Sequence, residues 1–530
     1  MGDDADILIV GAGPTGLALA VELCRRDVRC RIIEKSPTPN ADSRALGMFP
    51  RTLEQLSFLG VSDRLREEAL EIAAIRGYAG DRQLFRIVAT VDSPFPHPFS
   101  IPQAATEEIL RGRLAVVGGK VEWGTELVRL DSQADAIVGT WKVGEREEQW
   151  RGRFIVGCDG AHSTVRRALG VEFSGTRYLE TFVLADVAVH AALPEREAVI
   201  FFSPDGPLAF FPFREPSRYR MVAQLGRAEV DTDGHGLTNQ TVTLEELREF
   251  VRARSSLSVE ISDPRWISAF RIHRRMVSEY RRGRVLLAGD AAHIHSPVGG
   301  QGMNTGIQDA INLGWKLAAV CRGRAQMGLL DTFGLERRPV AASILRGTDF
   351  ATRAVLIKNP VGRGLRNSAL STFAKVAPLR RRTLDGVAEL RVRYRRSPIV
   401  QESIRPKRRR GLRPVLAGDR APDFKLPGDT GATRLYAKLG RTEHIVLFFT
   451  DGSRDGLQGA HHCATGLGTM DGWITESLIL PPPYGQQVYG LSGPTVLAIR
   501  PDGYVGLRAD VADYTRALTL LEVYFKTLAG

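Results

Sequence analysis

Residues 6–34, DILIVGAGPTGLALAVELCRRDVRCRIIE, decide the fold. The apolar run from Ile7 to Val10 predicts a short buried strand, Gly11, Gly13 and Gly16 fall in the spacing GxGxxG, and Leu17 to Arg26 reads as a helix. Val28 to Ile33 reads as a second strand that ends on Glu34. Three spaced glycines alone describe an ordinary turn, but strand, turn, helix and strand-end acid in this order form the fingerprint of a dinucleotide-binding βαβ unit. Gly11 permits the tight turn, Gly13 lets a pyrophosphate approach the backbone, Gly16 packs helix on strand, and Glu34 can accept from a ribose hydroxyl. Pro14, Thr15 and Lys35 belong to the same binding set. The pattern leaves NAD and FAD equally open.

A second segment, residues 283–317, runs GRVLLAGDAAHIHSPVGGQGMNTGIQDAINLGWKL. Val285 to Ala288 predict an apolar strand ended by Gly289 and Asp290. Gly299, Gly300 and Gly302 then leave backbone bare where a helix opens near Met303. Bare N–H groups at a helix N-terminus favour negative charge. A third segment repeats the arrangement. Arg153 to Val156 read as a strand, followed by CDGAHSTVR and a helix from Thr164 to Leu169. There Asp159 either holds a ligand hydroxyl or simply caps the helix, a role Ser163 could share.

A length of 530 residues predicts about three domains. Hydrophobic content of 43% with 25% charged residues fits a globular protein with a sizeable core and excludes a disordered chain. No apolar run is long enough to span a bilayer, and Asp3, Asp4 and Asp6 stand where a basic signal head would lie, so the expected location is cytoplasmic and no membrane partner is expected. The five cysteines contain no CxxC pair, which argues against a disulfide framework or a zinc site. The net charge of +12 is confined to one stretch: residues 341–420 hold 20 Lys or Arg against 5 Asp or Glu, so the remainder sums to −3. Few aromatics interleave those bases, so solvated helix faces and a linker, pairing with acids on a subunit neighbour, are expected there, with nucleic-acid or anionic-surface binding as the alternative.

The three glycine-and-acid segments, in this order and spacing, resemble the single-component FAD-dependent aromatic hydroxylases, the class of para-hydroxybenzoate hydroxylase and phenol hydroxylase. The resemblance covers about residues 5–350 and implies an α/β fold: a Rossmann-like FAD-binding domain with an α+β, sheet-based substrate domain. It implies that SRALGMFPRTLEQL places Arg44 near the FAD phosphates and that Gln103 reaches the ribityl chain. Asp159 would lie in a motif shared between FAD and the reduced nicotinamide, Asp290 would hold a ribityl hydroxyl, and Pro297, Gly299 and Gly300 would shape the flavin face that meets oxygen. Gly302, Met303 and Asn304 would present backbone N–H groups to the pyrimidine edge of the flavin. The implied reaction takes hydride from NADPH or NADH, forms a flavin C4a-hydroperoxide with O2, and hydroxylates a phenolic or polycyclic, polyketide-like aromatic. No metal is expected, since neither His293 with His295 nor His461 with His462 has a carboxylate at ligand spacing. No dedicated base is assigned; Arg214, Tyr219 and His273 are the substrate-side candidates.

After residue 415 the chain resembles a thioredoxin-like domain with Pro494 at the conserved proline position but FFTDGSRDG where CxxC would stand. This leans the match toward phenol hydroxylase and aromatic polyketide hydroxylase types, in which such a domain is structural or a dimer contact; a homodimer is compatible with it. The expected borders are 1–175 and 281–345 for the FAD-binding domain, 176–280 for the middle domain, 346–414 for a basic helical connection, and 415–530 for the tail. A flavin oxidase or reductase on the same fold and a non-catalytic FAD protein remain as alternatives. A halogenase is disfavoured because WxWxIP does not occur.

Overall fold

Strand Ile7–Val10 is fully apolar and sits at the centre of a six-stranded sheet, where a strand covered on both faces needs such a run. The computed structural model describes residues 5–40, 45–133, 135–191, 193–227, 242–295, 299–403, 414–427, 433–440, 443–470, 472–482, 484–491, 493–511 and 514–530. The sheet order is Arg281–Arg282, Val285–Leu287, Phe154–Gly157, Ile7–Val10, Cys30–Glu34, Val121–Trp123, and all but the first are parallel. The three segments singled out in the sequence therefore leave neighbouring strands at one edge, with Val10 opposite Gly157 and Gly157 opposite Leu287. Ligands of open α/β sheets bind outside this carboxyl edge.

Two helices cross tightly above the sheet. Pro14–Cys24 packs against Gly302–Cys321, and glycines set the approach: a Cβ on Gly306 would lie 2.3 Å from Thr15 Oγ1 and one on Gly314 would lie 2.4 Å from Glu22 Cγ. Glu22 is buried, and although burial opposes its charge, Arg25 and Arg26 hold the carboxyl below its usual range.

The middle domain is an eight-stranded sheet. Its long strands Phe173–His190, Arg218–Arg227 and Glu260–Val277 pair antiparallel. Strand alternation divides it into two faces. Val183, Ala185, Val187, Tyr219, Met221 and Ala223 pack beneath helix Leu244–Arg254, which opens with a Thr243–Glu246 capping box. Phe182, Leu184 and Phe270 face the other way with Val222, Trp266 and Leu356. The expected borders shift here. Ala74–Ala79 and Arg82–Val88 come from the first 175 residues yet close one edge of this sheet, and His293–Ile294 closes the other. The helix Asp331–Val355 runs through the expected border at 345 without a break.

Helices Pro360–Lys375 and Ala377–Val387 carry six of the twenty bases of the basic stretch; the first buries only Arg366 and the second buries nothing. The C-terminal sheet, ordered Gln401–Glu402, Val505–Asp510, Thr495–Ile499, His444–Phe449, Ile474–Leu480, takes its edge strand from before residue 415, so the tail begins near 401. Where thioredoxins carry CxxC, Ser453 caps helix Arg454–Gly466 and no cysteine precedes the buried Cys463. No helix among the described residues is long and apolar enough to cross a membrane, and no cluster there could hold a metal ion.

Candidate active site

Gly11 has φ +101°, and a Cβ there would lie 2.5 Å from the carbonyl oxygen of Cys158, so the first and third glycine segments touch through bare backbone. A Cβ on Gly16 would strike the Gly11 carbonyl at 2.0 Å. Gly13 differs: among the described residues nothing lies within 4 Å of its would-be Cβ, which leaves open space there at the helix N-terminus. Pro14 starts that helix, where its missing N–H costs nothing. Glu34 accepts from Ala12 N–H (2.9 Å) and Ser36 N–H (3.0 Å), fixing the loop and leaving further lone pairs on both oxygens. Lys35 is exposed. Thr15 turns inward, and its hydroxyl is the atom that a Cβ on Gly289 would meet at 2.6 Å.

Asp159 caps the helix, one of its two expected readings. Oδ2 accepts from Thr164 N–H (2.7 Å) and Val165 N–H (3.1 Å), while Ser163 caps at Arg166 N–H (2.9 Å). Oδ1 is buried with no partner among the described residues, and burial pushes the carboxyl up. A buried acceptor left open beside the glycine turn is what a ligand hydroxyl would fill.

On the second segment, Gly289 and Asp290 form a short 3-10 turn that keeps Asp290 exposed. The turn rests on Asp309, which sequence reading missed. Asp309 accepts from Gly289 N–H (3.1 Å), His293 Nε2 (2.7 Å) and Arg337 Nε (2.6 Å), all of it buried. Arg337 also donates to Tyr394 Oη and Thr305 O. His293 thus has a carboxylate partner after all, sixteen residues along the chain, and acts in support of the turn. Gly299 and Gly300 have φ +101° and +64°, a region that favours glycine. Among the described residues their would-be Cβ atoms approach nothing closer than Thr348 and Phe49, at 3.8 and 3.9 Å, so it is conformation that favours glycine there. Pro297 and Arg44 lie outside the described residues, as does the side chain of His273.

Helix Gly302–Cys321 has no side-chain cap among the described residues, and its first-turn N–H groups at Gly302, Met303 and Asn304 precede any intrahelical acceptor. The Asn304 side chain is spent on positioning. Its Oδ1 accepts from Phe49 N–H (2.8 Å), and its Nδ2 donates to Gly47 O (2.9 Å) and Gly300 O (3.0 Å). Residues 45–49 form the hub of the site. Ala45 O accepts from the Gln103 N–H (3.1 Å) and from Arg220 Nη1 (3.2 Å). Arg220 is buried, bidentate to Asp186 at 2.7 and 2.8 Å, and stands over the Phe213 and Trp266 rings. The aromatic face of the middle sheet is thereby tied to the glycine loop. Gln103 itself donates to Glu107 Oε1 (2.9 Å) beside this hub.

Two of the substrate-side candidates, Tyr219 and Arg214, fall elsewhere. Tyr219 packs against Phe210 on the face covered by helix Leu244–Arg254, because it alternates with Arg220 along its strand. Arg214 reaches the Arg66 and Ala69 carbonyls in a surface turn. Phe182, Leu184, Val222, Trp266 and Phe270 were legible only as strand residues, since the register that selects their face is not written locally.

One turn beyond Asn304, Gln308 donates to Thr52 Oγ1 (3.1 Å) and Glu389. Glu389 is buried, and burial pushes its carboxyl up to about 7, with Arg337 and Arg51 opposing and Asp309 adding to the rise. A raised carboxyl favours the folded state when protonated: the stabilisation is complete below about pH 4.5 and is lost as pH rises through about 7. Wild-type melting temperature should therefore fall more steeply between pH 5 and 8 than that of Glu389→Gln, by an amount worth at most about 3 kcal/mol. Parallel curves would contradict this.

The class follows from fold and site together: three glycine loops at one carboxyl edge, with an anion-favouring helix end and an aromatic wall beside them, define a flavin enzyme. The chain belongs to the FAD binding domain family, whose model matches residues 4–348. It is 34% identical to 6-methylpretetramide 4-monooxygenase of Streptomyces rimosus, over 98% of this chain and 94% of that one. It is 35% identical to 12-dehydrotetracycline 5-monooxygenase/anhydrotetracycline 6-monooxygenase of Streptomyces rimosus subsp. rimosus, over 97% of each. Among solved structures it resembles the anhydrotetracycline hydroxylase OxyS of Streptomyces rimosus, with TM-score 0.76, 31% identity and 99% of each chain covered. The protein is an FAD-dependent aromatic monooxygenase.

Proposed function

We propose that the protein hydroxylates a polycyclic phenol with NADPH or NADH as electron donor and O2 as oxygen source. The observation that carries the reading is the aromatic wall of Phe182, Trp266 and Phe270, bonded through Arg220 and residues 45–49 to the glycine loop. A flat, apolar substrate fits such a wall, and the two relatives act, by name, on 6-methylpretetramide and on 12-dehydrotetracycline and anhydrotetracycline.

The residues present fit FAD. The open space at Gly13 would admit the pyrophosphate, Arg44 and Gln103 would lie along its chain, and Glu34 and Asp159 Oδ1 would accept from its hydroxyls with Asp290. Gly302, Met303 and Asn304 would direct N–H groups to the ring edge where reduced flavin carries negative charge. Bound FAD supplies the hydride acceptor and the oxygen-activating ring. The chain supplies a dry pocket: the apolar wall excludes water, and Arg220, held by Asp186, keeps wall and loop in register. Pro297, Gly299 and Gly300 would border the reacting face.

A panel of mono- and polycyclic phenols, assayed for stimulation of NAD(P)H consumption by the FAD-loaded protein, tests the reading. Polycyclic phenols should stimulate most. Equal consumption with and without every phenol would contradict it.

A further inference from the structure

Cys24 ends helix Pro14–Cys24 and Cys30 opens strand Cys30–Glu34, so the two thiols flank one short turn. That turn is fixed by its own backbone: Val28 N–H donates to Leu23 O (3.1 Å), Asp27 N–H donates to Cys24 O (2.9 Å), and Asp27 takes φ +53° to close it. The two sulfurs are 3.6 Å apart, and both residues are partly exposed. A disulfide bond is about 2.05 Å long, so the sulfurs need to close by about 1.5 Å. Cys158 and Cys463 are buried in other parts of the fold. Cys321, at the end of helix Gly302–Cys321, is the third thiol of the neighbourhood and adds to the rise of the Cys30 thiol.

We propose that Cys24 and Cys30 are a reversible redox site that hydrogen peroxide closes to a disulfide. The Cys24 thiolate attacks one peroxide oxygen, the O–O bond breaks, and the hydroxide released takes a proton to leave as water. The sulfenic acid formed on Cys24 is then attacked by the Cys30 sulfur. The S–S bond forms, the C–S–OH oxygen leaves as hydroxide, and the thiol proton of Cys30 makes it a second water. Two sulfurs lose two electrons in total and one peroxide gains them. Either sulfur can donate in their mutual hydrogen bond, so it stabilises one thiolate of the pair whichever attacks, and the other sulfur resolves. The thiols stand at the far end of strand Cys30–Glu34 from Glu34, so closure leaves the glycine cradle in place and serves as a sink for peroxide made near the flavin.

The FAD-loaded full-length protein, treated with hydrogen peroxide, then denatured and assayed for thiols and intact mass, tests this. Two of its five thiols should disappear with loss of two hydrogen atoms in mass, reverse with dithiothreitol, and map to a Cys24–Cys30 cross-link, with phenol-stimulated NAD(P)H consumption unchanged. Cys30→Ser should keep no such loss and should gain oxygen on Cys24 instead. Gain of oxygen in the wild type without a cross-link, a cross-link that maps to Cys321, or identical behaviour of wild type and Cys30→Ser would overturn the proposal.

Discussion

Gly13→Val is expected to weaken FAD binding by about a hundredfold or more, the equivalent of about 2.7 kcal/mol, while the stability of the apoprotein stays within about 0.5 kcal/mol of wild type. The contrast separates ligand space from packing space. Gly13 has ordinary extended backbone before Pro14, and among the described residues no atom lies within 4 Å of its would-be Cβ, so packing there gives the apoprotein no reason to object to a side chain. The flavin phosphates do, because the side chain would fill the gap through which they approach the backbone N–H groups. Gly11 is the opposite case: a Cβ there meets the Cys158 carbonyl at 2.5 Å and the Asp159 Cα at 2.9 Å, on a φ of +101°. Gly11→Val should lower both apoprotein stability and FAD affinity. Equilibrium FAD titration and thermal melting of both apoproteins check the pair, and FAD affinity of Gly13→Val equal to wild type would refute the cradle.

Glu336→Ala should destabilise the whole chain by about 3–5 kcal/mol, the cost of leaving buried charge without its partner. Glu336 accepts from Arg500 at 2.6 and 2.9 Å, from Lys316 at 2.8 Å and from Asn312 at 2.7 Å, and all four side chains are buried. Burial opposes its charge, yet Arg500 and Lys316 hold its carboxyl far below the usual range. Arg500 belongs to the C-terminal domain and continues to Asp502, whose carbonyl accepts from Arg51 (2.8 Å) and Gln55 (3.2 Å) of helix Pro50–Phe58. Removal of Glu336 therefore takes from Lys316 the acid it bonds and leaves Arg500 with Asp502 alone at the joint between two domains. A single melting transition that moves down is expected, with loss of FAD at the same temperature, because Lys316 and Asn304 lie on one helix. An unchanged melting temperature would show that the joint contributes nothing. A tail that unfolds well before the rest would show that it is not part of one cooperative unit.

The first βαβ unit, the parallel sheet and the three loops at its edge were legible in the sequence because each is local: a strand, a turn and a helix written within thirty residues. Glycine φ values at Gly11, Gly299 and Gly300 belong to the same local chemistry. The supports were legible only in part. Asn304, Gln308, Asn312 and Lys316 recur every four residues along one helix, a polar stripe that marks a buried network, but its partners Phe49, Glu389, Glu336 and Asp502 come from four distant segments. The middle domain was least legible. Alternation along residues 218–227 says that Tyr219 and Arg220 face opposite ways but not which faces the flavin, and the recruitment of Ala74–Ala79 to that sheet rests on a pairing with Glu197–Ser203 more than a hundred residues away. The tail's missing CxxC was plain, whereas its weld to the rest through Arg500 and Asp502 required the fold.

Supply of isotopically labelled O2 to the FAD-loaded protein, with NAD(P)H and the phenol that most stimulates its consumption, tests the central claim most directly. Mass analysis should find one labelled oxygen atom in the hydroxylated product. Unlabelled product, or NAD(P)H consumed with all the oxygen recovered as peroxide and the phenol unchanged, would contradict hydroxylation by this site.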